Sequence, residues 1–457
     1  MTVFIGDNIV SALGFSSEEN YNNVKKGVSG LKFFHDRYDL PEPFMASEID
    51  EARLNEAFEK CQEIASSEKP PCNDGGGNAM TSRHHISGKT QGINYTKLEK
   101  ACIVSVADAL KDAKIDLSGK RVLFILSTTK GNVFLLDENE RCGYEHNQLY
   151  LWRSAELIAQ FFGNTNKPLV VSNACISGAF ALMAAQRELR SGRYDYVVVT
   201  GVDMLSKFVV TGFQSFKALS QDVCKPFDAN RTGLNIGEAV ATVIMAERGG
   251  IVPRGDEPIS NAGLPSLRGT KQSDSEDDKI IANAVQTKDN LACFNDCAGG
   301  LKVGDIVLTA GAVRNDANHI SGPSRTGEGS YLALRSVLEN VDANELAFVC
   351  AHGTATPYND EMESISLTRA GLQDVPVNSL KGYFGHTLGA AGILESVISM
   401  YAIKDKTIPG TYGFDTLGVT NPLRIVKNAE TTTKRRFVKM LSGFGGCNVA
   451  MLFTEWV

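Results

Sequence analysis

The sequence predicts an α/β protein with a largely parallel sheet, and three observations lead to that fold class. Short apolar runs typical of buried strands recur along the chain, as in residues 121–127 and 196–201. Segments with helical patterning, such as residues 95–111 and 156–162, stand between such runs. Glycine and proline mark many of the element ends. Because strands that alternate with helices build βα units, we expect helices to cover a sheet with mostly parallel strands.

The composition is that of a globular protein with a large core. Of 457 residues, 43% are hydrophobic and 22% are charged, which predicts two or three domains. The formal net charge of −7 gives no support for nucleic acid as a partner. The first residues do not show a basic stretch followed by an apolar core, which is the pattern of a signal peptide. The chain also has no run of about eighteen apolar residues, so we expect a cytoplasmic protein without a membrane span. The ten cysteines are irregularly spaced and are expected to be reduced.

The N-terminal part begins with a strand and two helices and then changes character. Residues 2–9 are predicted as a strand, and residues 18–26 and 52–65 as helices. Residues 66–94 contain paired prolines, a run of three glycines and few large apolar side chains. Such a segment buries too little surface to offset its ordering entropy, so we predict a loop insertion.

A second irregular segment spans residues 252–300, and neither irregular segment carries a convincing metal site. Cys293 and Cys297 form a C-x3-C pair without a second pair of ligands. His84 and His85 have no cysteine or carboxylate at a ligand spacing, so they are expected to be solvated loop residues. We therefore predict no metal site.

One cysteine stands at a predicted strand-to-helix elbow. An apolar run ends at Val170 and Val171, and a helical pattern starts at Ile176, which places Cys175 at the helix N-terminus. The positive end of a helix dipole favours the thiolate, which is the nucleophilic form of a cysteine. The geometry therefore predicts a cysteine that can attack a carbonyl. A small buried structural cysteine is the alternative that this stretch alone leaves open.

The second half repeats the element types of the first half. It is predicted to contain strands at 305–312, 346–351, 436–441 and 450–455, and helices at 329–338, 361–370 and 392–405. The last two strands are predicted to be antiparallel, around the glycine-rich turn at 443–446. No repeat is visible at the residue level, but a duplicated α/β unit is consistent with this pattern. We predict two halves, residues 1–250 and 251–457, with the cysteine in the first and both candidate histidines in the second.

Those two histidines stand at element ends in glycine-rich loops. His352 directly follows a predicted strand in AHGTATPYND, and His386 lies five residues after Lys381 in NSLKGYFGHTLGAAG. Each histidine taken singly is better explained as a core or surface residue. Together with Cys175 they supply a nucleophile and two imidazoles, each at a position where catalytic groups are usually placed.

Five sequence blocks resemble the signature blocks of the β-ketoacyl-acyl-carrier-protein synthases, which are condensing enzymes with a thiolase-like fold. In chain order the blocks are NACISG, PFDANRTGLNIGE, AHGTATPYNDEMES, NSLKGYFGHTLGAAGILES and SGFGGCN. Five blocks in one order are far more specific than any single motif. The resemblance implies an α/β protein with five αβαβα layers and two pseudo-duplicated halves, in a homodimer or a ketosynthase heterodimer.

The resemblance also implies catalytic roles by position. Cys175 would accept the acyl group, and His352 and His386 would flank the thioester carbonyl of a malonyl donor. Neutral imidazoles can donate hydrogen bonds to the enolate oxygen that forms as carbon dioxide leaves. Lys381 would support the loop of His386. No cofactor is implied, and acyl carrier protein in its acyl and malonyl forms is the implied partner.

Four further positions take supporting parts in this resemblance. Glu363 would organise the loop of the first histidine and the lysine, and Glu395 would support the site from the following helix. The backbone N–H groups of Cys175 and Phe444 would form an oxyanion hole, because a glycine-rich turn lets backbone donors approach a ligand. Ser442 occupies the position where family members commonly carry a bulky aromatic gate. A wider or differently gated acyl pocket is therefore expected.

The ending LSGFGGCN, with Ser442 at the gate and Cys447 in place of a threonine, bears on the pathway. It is similar to synthases of aryl-polyene or flexirubin-type pigment clusters rather than to fatty-acid housekeeping enzymes. The acyl chain length and the starter unit are not readable from the sequence.

Three other functions compete with a condensing enzyme. A non-catalytic subunit of the chain-length-factor type would lack the nucleophile that Cys175 supplies. A degradative thiolase would use free coenzyme A and a second cysteine near the C-terminus, where Cys447 stands, but thiolases do not combine HGTxTP with a Lys-x4-His block. A ketosynthase with a Cys-His-Asn set is disfavoured because His386 holds the third position.

Overall fold

The structure is a computed structural model that describes residues 1–40, 42–67, 92–249 and 300–457. The predicted insertions at 66–94 and 252–300 fall almost entirely outside the described residues. So do the two pairs considered as metal ligands, which are His84 with His85 and Cys293 with Cys297. The predicted boundary between the halves at residue 250 adjoins the second of these segments and stays a prediction.

The strands of the described residues form one large sheet and two small ones. The strands are β1 (Thr2–Ser11), β2 (Lys32–Phe34), β3 (Phe44–Ser47), β4 (Val122–Ser127), β5 (Leu169–Val171), β6 (Tyr196–Asp203), β7 (Ile236–Gly237), β8 (Ala239–Glu247), β9 (Ile306–Asn315), β10 (Leu346–Cys350), β11 (Val377–Asn378), β12 (Thr407–Ile408), β13 (Glu430–Thr431), β14 (Arg436–Gly443) and β15 (Cys447–Glu455).

Helices cover the strands and also fill the centre. The α-helices are α1 (Ser17–Lys25), α2 (Glu51–Ser67), α3 (Lys97–Ala113), α4 (Leu151–Phe161), α5 (Ser177–Arg190), α6 (Lys207–Ser215), α7 (Glu328–Val337), α8 (Pro357–Arg369), α9 (Lys381–Phe384) and α10 (Ala391–Lys404). Most predicted helices agree with these bounds to within a few residues.

The main sheet consists of two five-stranded halves with the same topology. The N half has the order β5-β4-β6-β8-β1, and the C half has the order β11-β10-β14-β15-β9. In each half, the first strand along the chain (β1 or β9) lies at the centre of the whole sheet, and the third (β5 or β11) lies at its outer edge. The other three strands follow the same spatial order in both halves. Val3 of β1 pairs with Val307 of β9 and joins the halves. The predicted duplication is therefore present in the topology.

The strand directions differ in part from the predicted parallel sheet. In each half, two strand pairs are parallel, β4 with β5 and β6 in one and β10 with β11 and β14 in the other. The inner pairs, β8 with β1 and β6 and β15 with β9 and β14, are antiparallel. The antiparallel pairing of β14 with β15 confirms the prediction for residues 436–441 and 450–455. The other antiparallel pairs were not predicted, because a strand buried on both faces reads as a continuous apolar run in either direction.

The helices and half-sheets form five layers. Helices α5 and α10 pack against each other and against strands of both halves. The largest hydrophobic core surrounds them. Helix α3, with α2 and α4, covers the outer face of the N half, and α7, with α8, covers the C half. This arrangement confirms the predicted αβαβα fold.

Local signals explain one helix that was predicted and one that was missed. Helix α3 begins with a capping box in which Thr96 and Glu99 bond each other's backbone N–H groups. Helix α6 was not predicted, because adjacent β-branched residues and a glycine lower its helix propensity. Its N-cap Ser206, which accepts a hydrogen bond from Val209 N–H, was the available signal.

Candidate active site

The parallel strands of both halves direct their carboxyl ends toward one shared site. In the N half, residues 128–132 follow β4, Cys175 follows β5, and Asp203 ends β6. In the C half, His352 follows β10, and Lys381 and His386 follow β11. Loops at the carboxyl ends of parallel strands are the usual place for a site in α/β proteins.

Cys175 lies at a strained elbow directly before α5. Its neighbour Ala174 has a positive φ of 45°, a conformation that non-glycine residues rarely adopt. The Ser177 hydroxyl holds the elbow, since it accepts a bond from Asn173 N–H at 2.7 Å and donates to Ala174 C=O at 2.6 Å. The thiol is 7% exposed. The predicted elbow is therefore present, and the cysteine is buried within it.

Close packing of two helix N-termini brings this elbow beside the His386 loop. A Cβ atom on Gly178 of α5 would lie 2.8 Å from Gly389 C=O, and one on Gly392 of α10 would lie 2.3 Å from Ala179 N. Because neither position has room for a side chain, the two glycines permit this approach.

The three predicted catalytic side chains meet at one point. The sulfur of Cys175 and nitrogens of His352 and His386 all lie within 4.8 Å of one another. The two imidazole rings are 5.1 Å apart between centroids and nearly perpendicular, at 83°. Both histidines are buried.

His386 presents a hydrogen-bond donor to the site. Its Nδ1 accepts a bond from Leu388 N–H at 3.3 Å, and its Nε2 is buried without a partner among the described residues. Burial and the charges of Lys381, Lys130 and Lys439 hold the pKa of His386 well below 6.5. The ring is therefore neutral, and its single proton must lie on Nε2 because Nδ1 acts as an acceptor.

His352 is held through its backbone rather than through its ring. Both oxygens of Glu363 accept bonds of 2.7 Å, one from His352 N–H and the other from Gly353 N–H. The Nδ1 atom of His352 has no partner among the described residues. Burial and the charge of Lys381 lower the pKa of His352 well below 6.5, so this imidazole is also neutral.

The loop role expected of Glu363 is visible, but a contact with the lysine is not. Lys381 pairs with Glu395, whose other oxygen pairs with Lys439. The two backbone amides of the His352 loop occupy both oxygens of Glu363, which accounts for the difference. Burial and the neighbouring charge of Asp360 raise the pKa of Glu363 to about 7.

The predicted oxyanion donor Phe444 acts on the Cys175 thiol. The backbone N–H of Phe444 lowers the pKa of this thiol. A Cβ atom on Gly443 would lie only 3.2 Å from Cys175 N. The β14–β15 hairpin therefore approaches the elbow closely.

Ser442, at the expected gate position, forms its side-chain hydrogen bond within the β14–β15 hairpin. The Ser442 hydroxyl donates to Asn448 Oδ1 at 2.7 Å across the hairpin. Phe444, two residues further on, is 37% exposed, and its ring lies 5.9 Å from that of Phe213 and 5.4 Å from that of Phe216. Aromatic side chains therefore cluster at the Phe444 turn, although Ser442 itself is small.

The pKa of Cys175 differs from the expectation drawn from the helix dipole. Burial raises the pKa of this thiol to about 11, although the charges of Lys130 and Lys381 and the Phe444 N–H act in the opposite direction. Exclusion of water disfavours the thiolate more strongly than these groups favour it. The nucleophile therefore needs a proton acceptor.

Two residues near the site were not singled out from the sequence. Asp203 accepts bonds from the hydroxyls of Thr128 and Thr129, from the backbone N–H groups of Thr129 and Lys130, and from Gly389 N–H at 2.7 Å. It thereby connects the loop after β4 to the turn after His386. Among the nearby cations, Lys130 lowers the pKa of the Cys175 thiol the most. Polar residues directly after buried strands were the available signal.

The three central side chains carry donor atoms that zinc could use, but their surroundings oppose a dication. Lys381, Lys130 and Lys439 place positive charge around His386. The Leu388 N–H occupies Nδ1, which leaves a proton rather than a lone pair on Nε2. The arrangement suits a developing oxyanion instead.

A buried thiol at a helix start, two neutral imidazoles and a duplicated five-layered α/β scaffold define a thiolase-like condensing enzyme. Comparison with known families agrees. The family model for the beta-ketoacyl synthase N-terminal domain matches residues 82–249, and the model for the C-terminal domain matches residues 306–415. The chain belongs to the β-ketoacyl synthase family and is a condensing, acyltransferase-type enzyme.

Individual relatives carry matching names. A mitochondrial protein of Schizosaccharomyces pombe, named for 3-oxoacyl-acyl-carrier-protein synthase activity, is 25% identical over all of this chain and 99% of its own length. The 3-oxoacyl-acyl-carrier-protein synthase 2 of Rhizobium meliloti is 28% identical, over 63% of this chain and 60% of that protein.

Solved structures show the same fold. A ketosynthase from Xenorhabdus doucetiae, in complex with its chain length factor, superposes with a TM-score of 0.72 at 20% identity, over all of this chain and 98% of that chain. A chain from the complex of a type II polyketide acyl-carrier protein with its ketosynthase superposes with a TM-score of 0.68 at 17% identity. The match covers 100% of this chain and 99% of that one. Within the described residues, no helix is long and apolar enough to cross a membrane.

Proposed function

We propose that the enzyme joins an acyl group, held as a thioester on Cys175, to a malonyl group carried by an acyl carrier protein, with loss of carbon dioxide. The observation that carries this proposal is the meeting of one thiol and two neutral imidazoles within 4.8 Å. Both imidazoles have a buried nitrogen without a partner among the described residues. Buried polar atoms are rarely left unpaired unless a ligand completes them.

The first step loads the enzyme. His352 accepts the thiol proton as the sulfur of Cys175 attacks the acyl thioester, since its Nδ1 is unpaired whereas Nδ1 of His386 is already an acceptor. The Cys175 and Phe444 N–H groups stabilise the tetrahedral oxyanion. The carrier thiol leaves with the proton. A neighbouring base offsets the raised pKa of the nucleophile.

The second step generates the carbon nucleophile. The bond to the malonyl carboxylate breaks, carbon dioxide leaves, and the electron pair remains as an enolate. The Nε2–H of His386, with a ring N–H of His352, donates to the enolate oxygen where negative charge develops. Lys381 adds positive charge nearby and remains paired with Glu395.

The third step forms the carbon–carbon bond. The enolate carbon attacks the thioester carbonyl on Cys175, and the sulfur leaves as a thiolate. The thiolate takes up one proton from solvent, which balances the carboxylate charge lost as carbon dioxide. The product is a β-ketoacyl group on the carrier protein, two carbons longer than the acyl group that Cys175 held.

Intact-protein mass spectrometry after incubation with an acyl carrier-protein thioester tests the proposal. The wild-type enzyme is expected to gain the mass of one acyl group, whereas Cys175→Ala gains none. Cys142→Ser, which removes an exposed thiol, is the matched control and should be acylated normally. An acyl adduct on the Cys175→Ala variant would contradict the role of this thiol.

The edge of the N half supports a partner subunit. Strand β5 ends the sheet with Leu169 38% exposed, and α4, which packs against β5, carries Trp152, 49% exposed and stacked on Tyr150. An open apolar sheet edge is a pairing surface. We propose that a second chain of the same fold pairs there, either another copy or a related subunit.

We also retain the proposal that the acyl group belongs to a polyene or polyketide-type pathway. Its basis is the sequence ending around Ser442 and Cys447. Condensation assays with a panel of acyl carrier proteins test it, and a preference for saturated medium chains would overturn it.

A further inference from the structure

A second buried lysine lies beneath the site, outside the segments matched by the family models. Lys439 is in the middle of β14, opposite Cys350 of β10, and is fully buried. Its Nζ donates to Ala351 C=O at 3.0 Å and to Cys350 C=O at 3.2 Å. It also forms an ion pair with Glu395. All three of its donor sites therefore have oxygen partners.

These contacts join the elements that carry the catalytic groups. The two carbonyls belong to the residues directly before His352. Glu395 of α10 uses its other oxygen for Lys381, five residues before His386. Lys439 itself lies on the strand that leads into the Phe444 hairpin. One ammonium group thus connects the His352 strand, the Lys381 helix and the oxyanion hairpin.

We propose that Lys439 is a positioning residue for the decarboxylation step, which fixes the end of β10 and keeps both imidazoles in their neutral, donating form. The inference rests on the proposed condensation. A buried ammonium group near an imidazole opposes its protonation, because two positive charges repel strongly where water is excluded.

The charge balance around Lys439 is consistent with that role. Its titratable and charged neighbours are Glu395 and Lys381, with Cys350, Glu363 and the two histidines. Two lysines share the single carboxylate of Glu395, so the ion cluster carries a net positive charge. Lys439 contributes to the lowered pKa of both His352 and His386.

The test separates decarboxylation from acylation in Lys439→Met. Release of carbon dioxide from malonyl carrier protein is expected to fall about tenfold to hundredfold, the usual effect of losing hydrogen bonds to a charged group. Formation of the acyl enzyme on Cys175 should fall less, by about threefold to tenfold, since it needs His352 as a proton acceptor but does not use the His386 donor. Arg248→Met, which breaks a half-buried ion pair with Asp305, is the matched control and should change neither rate.

The pH profile distinguishes this role from a merely structural one. Without the positive charge of Lys439, the pKa values of His352 and His386 rise, so both imidazoles become protonated at a higher pH. The fall in decarboxylation rate on the acid limb of the pH profile should therefore begin at a higher pH in Lys439→Met. Lys439→Gln, which keeps a donor but not the charge, should move the acid limb in the same direction even if the methionine variant does not fold. An unmoved acid limb, or an equal loss of both partial reactions, would overturn the inference. Failure of the wild-type enzyme to decarboxylate malonyl carrier protein would instead contradict the proposed function.

Discussion

The N half and the C half have the same strand order, yet they supply different chemistry to the shared site. The loop after the third strand of each half carries Cys175 in one and Lys381 with His386 in the other. The loop after the second strand carries Thr128 in the N half and His352 in the C half. Equivalent positions of a duplicated scaffold therefore carry the proposed nucleophile and its proposed electrostatic partners.

The buried charges of the two halves differ in the same way. In the N half, the single carboxylate of Asp203 accepts bonds from backbone and hydroxyl donors. In the C half, the carboxylate of Glu395 is shared between two lysines. The first arrangement fixes loops without adding positive charge, whereas the second adds positive charge beneath two imidazoles. The C half is thus suited to stabilise an oxyanion and the N half to hold a thiol.

The largest expected effect comes from His352, the group assigned to both partial reactions. In His352→Ala, acylation loses its proton acceptor and decarboxylation loses a donor. Both rates are expected to fall by about 10²- to 10³-fold, the typical effect of removing one such donor or base. Rapid-quench assays of each partial reaction measure this. A normal acylation rate would show that another group takes the thiol proton.

Asp203 tests the arrangement in the N half. In Asp203→Asn, an amide N–H₂ group would face donors that now bond a carboxylate, so several buried donors lose their acceptor. The free energy of unfolding is expected to fall by about 2–3 kcal/mol. Urea unfolding measures the loss, and Asp195→Asn at an exposed ion pair is the control. An unchanged midpoint would show that the Asp203 bonds do not stabilise these loops.

The pH dependence of Cys175 alkylation is the next effect in size. Because the pKa of the buried thiol is raised to about 11, the thiolate fraction should still rise about tenfold per pH unit between pH 7 and 9. Iodoacetamide labelling in a Cys142→Ser background, followed by mass spectrometry, measures this rate. A plateau near neutral pH would show that the helix dipole and the nearby lysines outweigh burial.

The smallest effect is expected at Ser442. Ser442→Ala removes one hydrogen bond to Asn448, which is worth about 1 kcal/mol of stability. The acylation rate should remain within about twofold of wild type, since the Ser442 hydroxyl bonds Asn448 rather than a group of the site. A change in acyl-chain preference, measured with competing carrier proteins, would restore a gating role to this position.

The sequence predicted the fold class and the residues at the centre of the site for identifiable physical reasons. Buried strands read as apolar runs, and Cys175, His352 and His386 all stand at element ends within glycine-rich motifs. Apart from the antiparallel pair predicted at 436–441 and 450–455, the strand directions and the sheet order are set by packing between segments far apart in the chain. A two-sided apolar run contains neither piece of information.

The supporting residues were harder to predict because their signals are local and ordinary. Lys439 in RRFVKMLS has the pattern of an outward-facing strand residue, and only the approach of Glu395 from α10 makes its burial possible. Glu363 was expected to organise Lys381 as well as the His352 loop, because it matches an acidic residue of the family that does so. The raised pKa of Cys175 depends on how deeply the elbow is buried, which no local pattern records.

The central claim is that the N half supplies the nucleophile while the C half supplies the enolate donors. Its most direct test measures both partial reactions in Cys175→Ala and His386→Ala. The account predicts a crossed result: Cys175→Ala forms no acyl enzyme but still releases carbon dioxide from malonyl carrier protein, and His386→Ala forms the acyl enzyme but releases carbon dioxide at least about 10²-fold more slowly. Loss of both partial reactions in both variants, or decarboxylation at the normal rate in His386→Ala, would contradict it.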